Sequence, residues 1–177
     1  MELQTQTAPN VAAVFKEHGP YVWRVLRRLG VRESDIEDVC QEVFVVVHRR
    51  LADFEGRSSL RTWVYGICIR TASDYRKRAV HRREVLTDEP PELVSASDPH
   101  GELATKRARQ TLDRILASLD DQKREVFVLY EIEGLGMTEV CEAVGCPLQT
   151  GYSRLHAARD LVKEAARQAR AEGSRPS

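Results

Sequence analysis

The chain has little aromatic content, 6% of 177 residues, only four cysteines, and no net charge, since 27 Lys and Arg balance 27 Asp and Glu. It also lacks long apolar runs. None approaches the roughly 18 residues that a spanning helix needs, which sets aside an integral membrane protein. The opening residues Met1 to Thr5 show no basic segment followed by an apolar core. A secretory signal is therefore not expected, and the chain is expected to act in the cytoplasm. Cys40, Cys68, Cys141 and Cys146 sit in or beside helical patterns, not in a cysteine-dense loop framework, so reduced thiols are expected. His48, His81, His100 and His156 are scattered, and no ligand set for zinc or another metal emerges. No nucleophile–base pair or phosphate loop stands out either, so no enzyme, cofactor or small-molecule substrate is expected.

What is present is a pattern of charge. Residues 1–83 carry 15 basic and 10 acidic side chains, residues 84–105 six acidic and none basic, and residues 106–177 12 basic and 11 acidic. Two basic regions thus flank an acidic middle. Phosphate contacts are made by particular faces, not by net charge, so the zero total does not argue against nucleic acid. The middle segment combines Pro90-Pro91 and Pro99 with Ser95, Ser97 and like charge. Helix cannot run through paired prolines, and the segment reads as a flexible acidic tether between two helical domains.

In the first half, Val11 to Leu29 reads as helix interrupted near Gly19-Pro20, with Pro20 opening a second segment and Gly30 stopping it. Its inner face is Tyr21, Val22, Val25, Leu26 and Leu29. Ser34-Asp35-Ile36-Glu37 has the form of a capping box. The helix after it presents Ile36, Val39, Cys40, Val43, Phe44, Val47 and Leu51 as one apolar stripe. On spacing alone, Asp38, Gln41 and Glu42 on the other face read as solvated surface. Phe54 to Ser59 reads as a loop, with Ser58 or Ser59 capping a third helix. That helix sets Leu60, Trp63, Val64 and Ile67 to one side. Between Arg61 and Arg83 it carries seven bases against one acid, interleaved with Trp63, Tyr65 and Tyr75. Cations track phosphates, and aromatic faces stack on unpaired bases. Trp63 falls on the stripe and reads as core. Tyr65 falls off it and is the stacking candidate.

In the second half, Glu102 to Leu119 reads as helix, Asp120 or Asp121 caps the next, and Gly134 ends that one. Met137 to Val144 is a short amphipathic helix. Gly145 then makes a tight turn, and Pro147 opens another helix. The leading residues of this last helix, Gln149-Thr150-Gly151-Tyr152-Ser153-Arg154, are small, polar or basic. That suits a helix whose N-terminal part enters the major groove, with His156 and Arg159 following. A helix-turn-helix also occurs in proteins that never touch DNA. The basic second helix weighs toward DNA.

With both halves in view, the sequence resembles a bacterial RNA polymerase sigma factor of the small extracytoplasmic-function (ECF) type in the sigma-70 family. Asp35-Ile36-Glu37-Asp38-Val39-Cys40-Gln41-Glu42-Val43-Phe44 resembles the family's core-binding signature. Leu60-Arg61-Thr62-Trp63-Val64-Tyr65-Gly66-Ile67 resembles its promoter-melting segment. Asp121 to Leu129 and Ser153 to Arg159 resemble its minus-thirty-five domain. The resemblance implies an all-α protein of two small helical domains. Region 2 would span 1–84, a flexible acidic linker 85–101, and region 4, a winged-helix-like helix-turn-helix, 102–177. It implies that Asp38, Gln41, Glu42 and Phe44 dock on the beta-prime clamp helices of core RNA polymerase, with Phe44 divided between core and contact. Region 4 would meet the beta flap. Arg57, Ser58, Arg61, Trp63, Tyr65, Arg70, Arg76, Lys77 and Arg78 would serve the minus-ten element as melted single strand, the loop Phe54 to Ser59 receiving a flipped base. Thr150, Tyr152, Ser153, Arg154, His156 and Arg159 would read the minus-thirty-five element as duplex promoter DNA. An anti-sigma protein is a further partner the family implies.

The sequence departs from the family pattern in places. Arg70 stands where Asn is usual, and Cys68 and Cys141 where Ala is usual. Gly151 replaces a buried valine, at a helix-propensity cost of about 1 kcal/mol. Tyr152 replaces a base at a DNA-facing position. Three other classes remain open on sequence: a stand-alone helix-turn-helix regulator, a sigma-like decoy that binds polymerase without reading promoters, and a redox or metal switch at Cys141 and Cys146.

Overall fold

A computed structural model describes residues 10–85 and 102–173. Beyond Val85, the expected acidic linker lies outside the described residues. The order is α1 (Val11–Arg28), α2 (Ile36–Arg50), α3 (Leu60–Val85), α4 (Glu102–Ala117), α5 (Asp121–Phe127), α6 (Met137–Val144) and α7 (Leu148–Gly173). Short 3-10 turns at Glu33–Asp35 and Leu51–Asp53 bracket α2, and a π-helical segment, Val128–Ile132, extends α5. The all-helical architecture is as the sequence implied. The second half was expected to be winged-helix-like, but no strand occurs among the described residues to form a wing.

The first half is a three-helix bundle. Asn10 caps α1, its side-chain oxygen accepting from the Ala12 N–H at 2.9 Å. Tyr21, Val22, Val25, Leu26 and Leu29 are all buried, as the periodicity predicts. The expected break is absent: α1 runs through Pro20 without interruption. Proline removes the N–H that would reach the Lys16 carbonyl. Both residues are exposed, so that carbonyl is left toward solvent and not in the core. The stripe of α2 packs inward as read, with Ile36, Val39, Val43, Phe44 and Val47 buried. Its capping box does not form. Ser34 donates instead to Asp35 Oδ1 at 2.8 Å, and Asp35 Oδ2 accepts from the Tyr75 hydroxyl at 2.6 Å.

The loop before α3 is closed by Ser59, whose hydroxyl accepts the Thr62 N–H at 3.0 Å. Asp120 caps α5 in the same way, accepting from Lys123 N–H at 2.9 Å. The α5 helix then widens. The Glu133 N–H reaches back five residues to the Val128 carbonyl at 2.9 Å, and the chain turns at Gly134, whose φ is +71°. Gly145 ends α6 at φ 71°, ψ 46°, a left-handed conformation that glycine adopts without penalty. The Pro147 carbonyl accepts the Gly151 N–H at 3.0 Å, so the proline sits just ahead of α7.

The two halves pack on one another. A single core cluster joins Val22, Leu26, Val64 and Ile67 of the first half to Val126, Leu129, Met137, Val140 and Leu155 of the second. Helix α3 is therefore buried on two sides, and Thr62 and Val64–Ile69 are all buried. The close approach of α3 to α6 occurs at Gly66, where a Cβ would already be 3.4 Å from the Ala143 carbonyl oxygen. A smaller cluster of Leu116, Leu119, Val128 and Ala158 holds α4, the end of α5 and α7 together.

Candidate nucleic-acid and polymerase interfaces

Three surfaces carry the residues singled out in the sequence. The first is the outward face of α2. Asp38, Gln41 and Glu42 are exposed, one helical turn apart, and Val45 extends the row at 47% exposure. Glu42 is bound by Arg78 of α3 at 2.8 Å and 3.0 Å. Phe44 is buried at 8%, and its ring meets Phe15 edge-on at 4.7 Å between centroids. Phe15 is itself 56% exposed, so the apolar surface beside the α2 face comes from α1. Sequence periodicity passed over both Val45 and Phe15. An exposed valine and phenylalanine acquire meaning only once they are seen to flank the same polar row.

The second surface is the loop before α3 and the start of that helix. A cavity of about 260 Å³ opens there, with Phe54, Arg57, Ser58, Trp63 and Arg70 among its walls. The rings of Phe54 and Trp63 meet at a tilt of 51°, with centres 5.3 Å apart. Glu142 and Ala143 of α6 form part of the same wall, so the second half covers part of the cavity. Arg57 is exposed and pairs with Glu55. The sequence reading of the two aromatics is reversed. Tyr65, expected off the stripe, is fully buried at 0%, and Trp63, expected in the core, is only partly covered. A stripe analysis assumes one buried face, whereas here α6 buries a second.

Farther along the same face, the cations of the first half meet carboxylates of the second. Glu133, 5% exposed, accepts from Arg28 and from the Tyr65 hydroxyl, the latter at 2.6 Å. Arg61 donates to Tyr65 Oη at 3.1 Å and to the Glu133 carbonyl at 3.1 Å. Burial pushes the Tyr65 phenol well above its usual range, and the hydrogen bond to Glu133 adds to that. The hydrogen bond to Tyr65 in turn strengthens protonation of Arg61. Thr62 donates to Glu139 at 3.1 Å, and the other oxygen of Glu139 accepts the Gly136 N–H that opens α6. Arg76 reaches Glu125 at 3.1 Å and Asp121 at 3.0 Å. Burial raises the Glu125 carboxyl, against the pull of Arg76. Arg27 binds Asp113 at 3.0 Å. Lys77 and Arg78 point elsewhere, to Asp74 and Glu42. The acidic partners leave no local signal in the sequence, because Glu125, Asp113 and Glu133 face cations 49 to 105 residues away.

The third surface is α7. Tyr152, Ser153 and His156 are exposed along its leading turns, and Leu148 and Gln149 lie beside them. Thr150 is half-buried. Arg154 and Arg159 are held against the second half's own helices. Arg154 donates to Gln122 at 2.9 Å, while Arg159 donates to Glu131 at 2.6 Å and lies 5.7 Å from the Tyr130 ring centre. His156 stands 3.3 Å from Asp160.

A helix-turn-helix with an exposed polar leading face, joined to a bundle whose third helix interleaves cations and aromatics, defines a DNA-binding protein of the transcription-factor class. Known proteins narrow this further. The family model described as Sigma-70 region 2 matches residues 14–82, and that described as Sigma-70, region 4 matches residues 109–162. The ECF RNA polymerase sigma-E factor of Escherichia coli strain K12 is 30% identical over 141 residues, covering 75% of this chain and 74% of that protein. The ECF RNA polymerase sigma-E factor of Haemophilus influenzae is 27% identical over 142 residues, 75% of each chain. The solved structure of CnrH in complex with the cytosolic domain of CnrY aligns at a TM-score of 0.65 and 25% identity, covering 89% of this chain and 88% of that one. The sigma factor RpoE of Bartonella quintana, solved with the anti-sigma factor NepR, aligns at 0.63 and 22% identity, covering 86% and 96%, and shares the fold. The chain belongs to the ECF sigma factors of the sigma-70 family, regulators that direct transcription initiation.

Proposed function

We propose that this sigma factor works bipartitely, with region 2 over 1–84 and region 4 over 102–177 as separate readers on the tether 85–101. Region 4 reads the minus-thirty-five element as duplex through Thr150, Tyr152, Ser153 and His156, with Arg154 and Arg159 turning to phosphates. Region 2 captures the minus-ten element as melted single strand. The cavity at Phe54–Ser59 takes an extruded base against Trp63, with Arg57, Ser58 and Arg70 around it, while Arg61, Arg76 and the Tyr65 hydroxyl follow the strand once the second half has moved off them. Lys77 and Arg78, which pair with Asp74 and Glu42, lie off that face. The row Asp38, Gln41, Glu42 and Val45, with Phe44 and Phe15 at its edge, docks on the beta-prime clamp helices of core polymerase. Region 4 meets the beta flap. The site of action is the cytoplasm, where polymerase is. A protein partner of the anti-sigma class fits this reading, since a relative of the same fold was solved with one.

The observation that carries the strand-capture reading is the set of carboxylates on Arg28, Tyr65, Thr62 and Arg76, with the Glu133 carboxylate also 3.8 Å from Arg61. This face already binds anionic oxygens of the kind a phosphate backbone presents. It follows that the halves must part before region 2 can hold DNA. The test is run-off transcription with core polymerase, the purified chain and fragments of its own genome, followed by sequencing of transcript starts. Discrete starts sharing two spaced upstream elements are expected. Polymerase binding without such starts would leave a decoy, and sequence-specific duplex binding without polymerase would leave a stand-alone regulator.

A further inference from the structure

The turn of the helix-turn-helix holds two thiols in contact. Cys141 lies in the last turn of α6, and Cys146 follows the left-handed Gly145. The N–H groups of Gly145 and Cys146 both fold back on the Cys141 carbonyl, at 2.9 Å and 3.0 Å. This reversal returns the Cys146 side chain to the end of the helix, and the two sulfurs stand 3.8 Å apart. Cys141 is buried at 7%, its Sγ 3.7 Å from the Pro147 carbonyl. Cys146 is half-buried between the exposed Gly145 and Pro147, so small solutes can reach it.

The same sulfur of Cys141 touches the recognition helix. A Cβ built on Gly151 would overlap it, and would lie 2.9 Å from Met137 Sδ. Only glycine lets α7 rest against this thiol. The helix keeps it there despite a propensity loss of about 1 kcal/mol. The Cys141 sulfur is thus a packing element between the two helices of the motif, and its position is coupled to that of α7.

We infer that Cys141 and Cys146 are an oxidation site, a dithiol that a hydroperoxide converts to an intramolecular disulfide within the helix-turn-helix. The accessible Cys146 thiolate attacks one oxygen of hydrogen peroxide. The O–O bond breaks, sulfur keeps that oxygen as sulfenic acid, and the other leaves as water after protonation. Cys141 then attacks the Cys146 sulfur, the S–O bond breaks, and a second water departs. Two thiols and one peroxide give one disulfide and two waters, with two electrons passing from the sulfurs to the peroxide oxygens. Burial raises the Cys141 thiol, which suits it to the second, resolving role. Bond formation closes the sulfur separation from 3.8 Å to about 2.0 Å and draws Cys141 Sγ out of its seat against Gly151.

The test starts from the full chain treated with equimolar hydrogen peroxide, alkylated, digested and mapped by mass. Two of the four thiols should be lost, in the one tryptic peptide that carries both Cys141 and Cys146, lighter by two hydrogens than its reduced form. Cys146→Ser, at a half-exposed position, should abolish the link, and Cys141→Ser should leave a Cys146 sulfenic acid that dimedone traps. If both turn thiols are still alkylated while Cys40 or Cys68 is oxidised, the inference is overturned. A second arm rests on the reading of α7 as the duplex reader. The oxidised chain should bind minus-thirty-five duplex about tenfold more weakly, and dithiothreitol should restore it. A disulfide with unchanged duplex binding would overturn the coupling to α7. Absence of duplex binding by the reduced chain would instead count against that reading of α7 and leave the mapped bond standing.

Discussion

Asp35 shows how a side chain given no role by a local motif can tie two helices together. The capping box expected from sequence used Ser34 and Glu37, whereas in the structure the Asp35 carboxylate accepts from the Tyr75 hydroxyl at 2.6 Å and from Ser34. A hydrogen bond to a distant helix ties the entry of α2 to α3, whereas a cap would have served α2 alone. The Tyr75 bond is the largest influence holding the Asp35 carboxyl below its ordinary range. A depressed carboxylate contributes stability above its unfolded pKa, and that contribution fades as pH falls through the folded value. Tyr75→Phe should therefore cost about 1 kcal/mol near neutrality. The gap to the unmodified chain should shrink below the usual carboxylate range. Urea unfolding at both pH values measures this, and a gap that stays constant with pH would assign the loss to packing. At the same scale, Trp63 and Tyr65 could not be told apart in advance. Their exposure depends on α6, which lies more than 70 residues along the chain.

Elements were legible where one apolar face met one neighbour. The stripes of α1 and α2, the caps at Ser59 and Asp120, and the stops at Gly30, Gly134 and Gly145 follow from spacing and backbone chemistry. The continuous helix through Pro20 was not legible, because the lost hydrogen bond lies on an exposed side that sequence alone does not reveal. Nor was the π segment, which repeats no pattern. Gly151 is a case where two effects of opposite sign compete inside one element. Alanine would gain about 1 kcal/mol of helix propensity. Its Cβ would, however, overlap Cys141 Sγ and crowd Met137, and overpacking costs roughly 1–3 kcal/mol. Gly151→Ala is expected to destabilise the chain on balance. Adding Cys141→Ala should recover much of the loss, since the flexible Met137 can move once the sulfur is gone. A double-mutant cycle by thermal unfolding reads this coupling. Additive losses would mean that the two positions do not share space.

At the scale of the whole molecule, the two halves close over the face that the proposed function assigns to melted DNA. Two helical units and their order were readable from composition, stripes and the family resemblance. Their packing was not, because it rests on Glu133, Glu125 and Asp113 finding cations in the other half, and on Glu139 finding the Thr62 hydroxyl. Glu133 is central: its buried carboxylate holds Arg28 and Tyr65, and Arg61 holds its backbone carbonyl. Removing one member of a buried ion pair leaves its partners without compensation, and the contact surface as a whole weakens. Where only the open form binds a strand, the apparent affinity is the intrinsic one reduced by the open fraction. Weakening closure by about 1.4 kcal/mol should then tighten single-strand binding about tenfold, as long as the closed form predominates. Glu133→Ala is expected to lower the unfolding temperature, enlarge the radius of gyration in solution scattering, and bind a single-stranded minus-ten oligonucleotide more tightly. Duplex binding by α7, whose leading face is already exposed, should change little. A variant that expands without binding the strand any better would place strand capture on some face other than the one Glu133 covers.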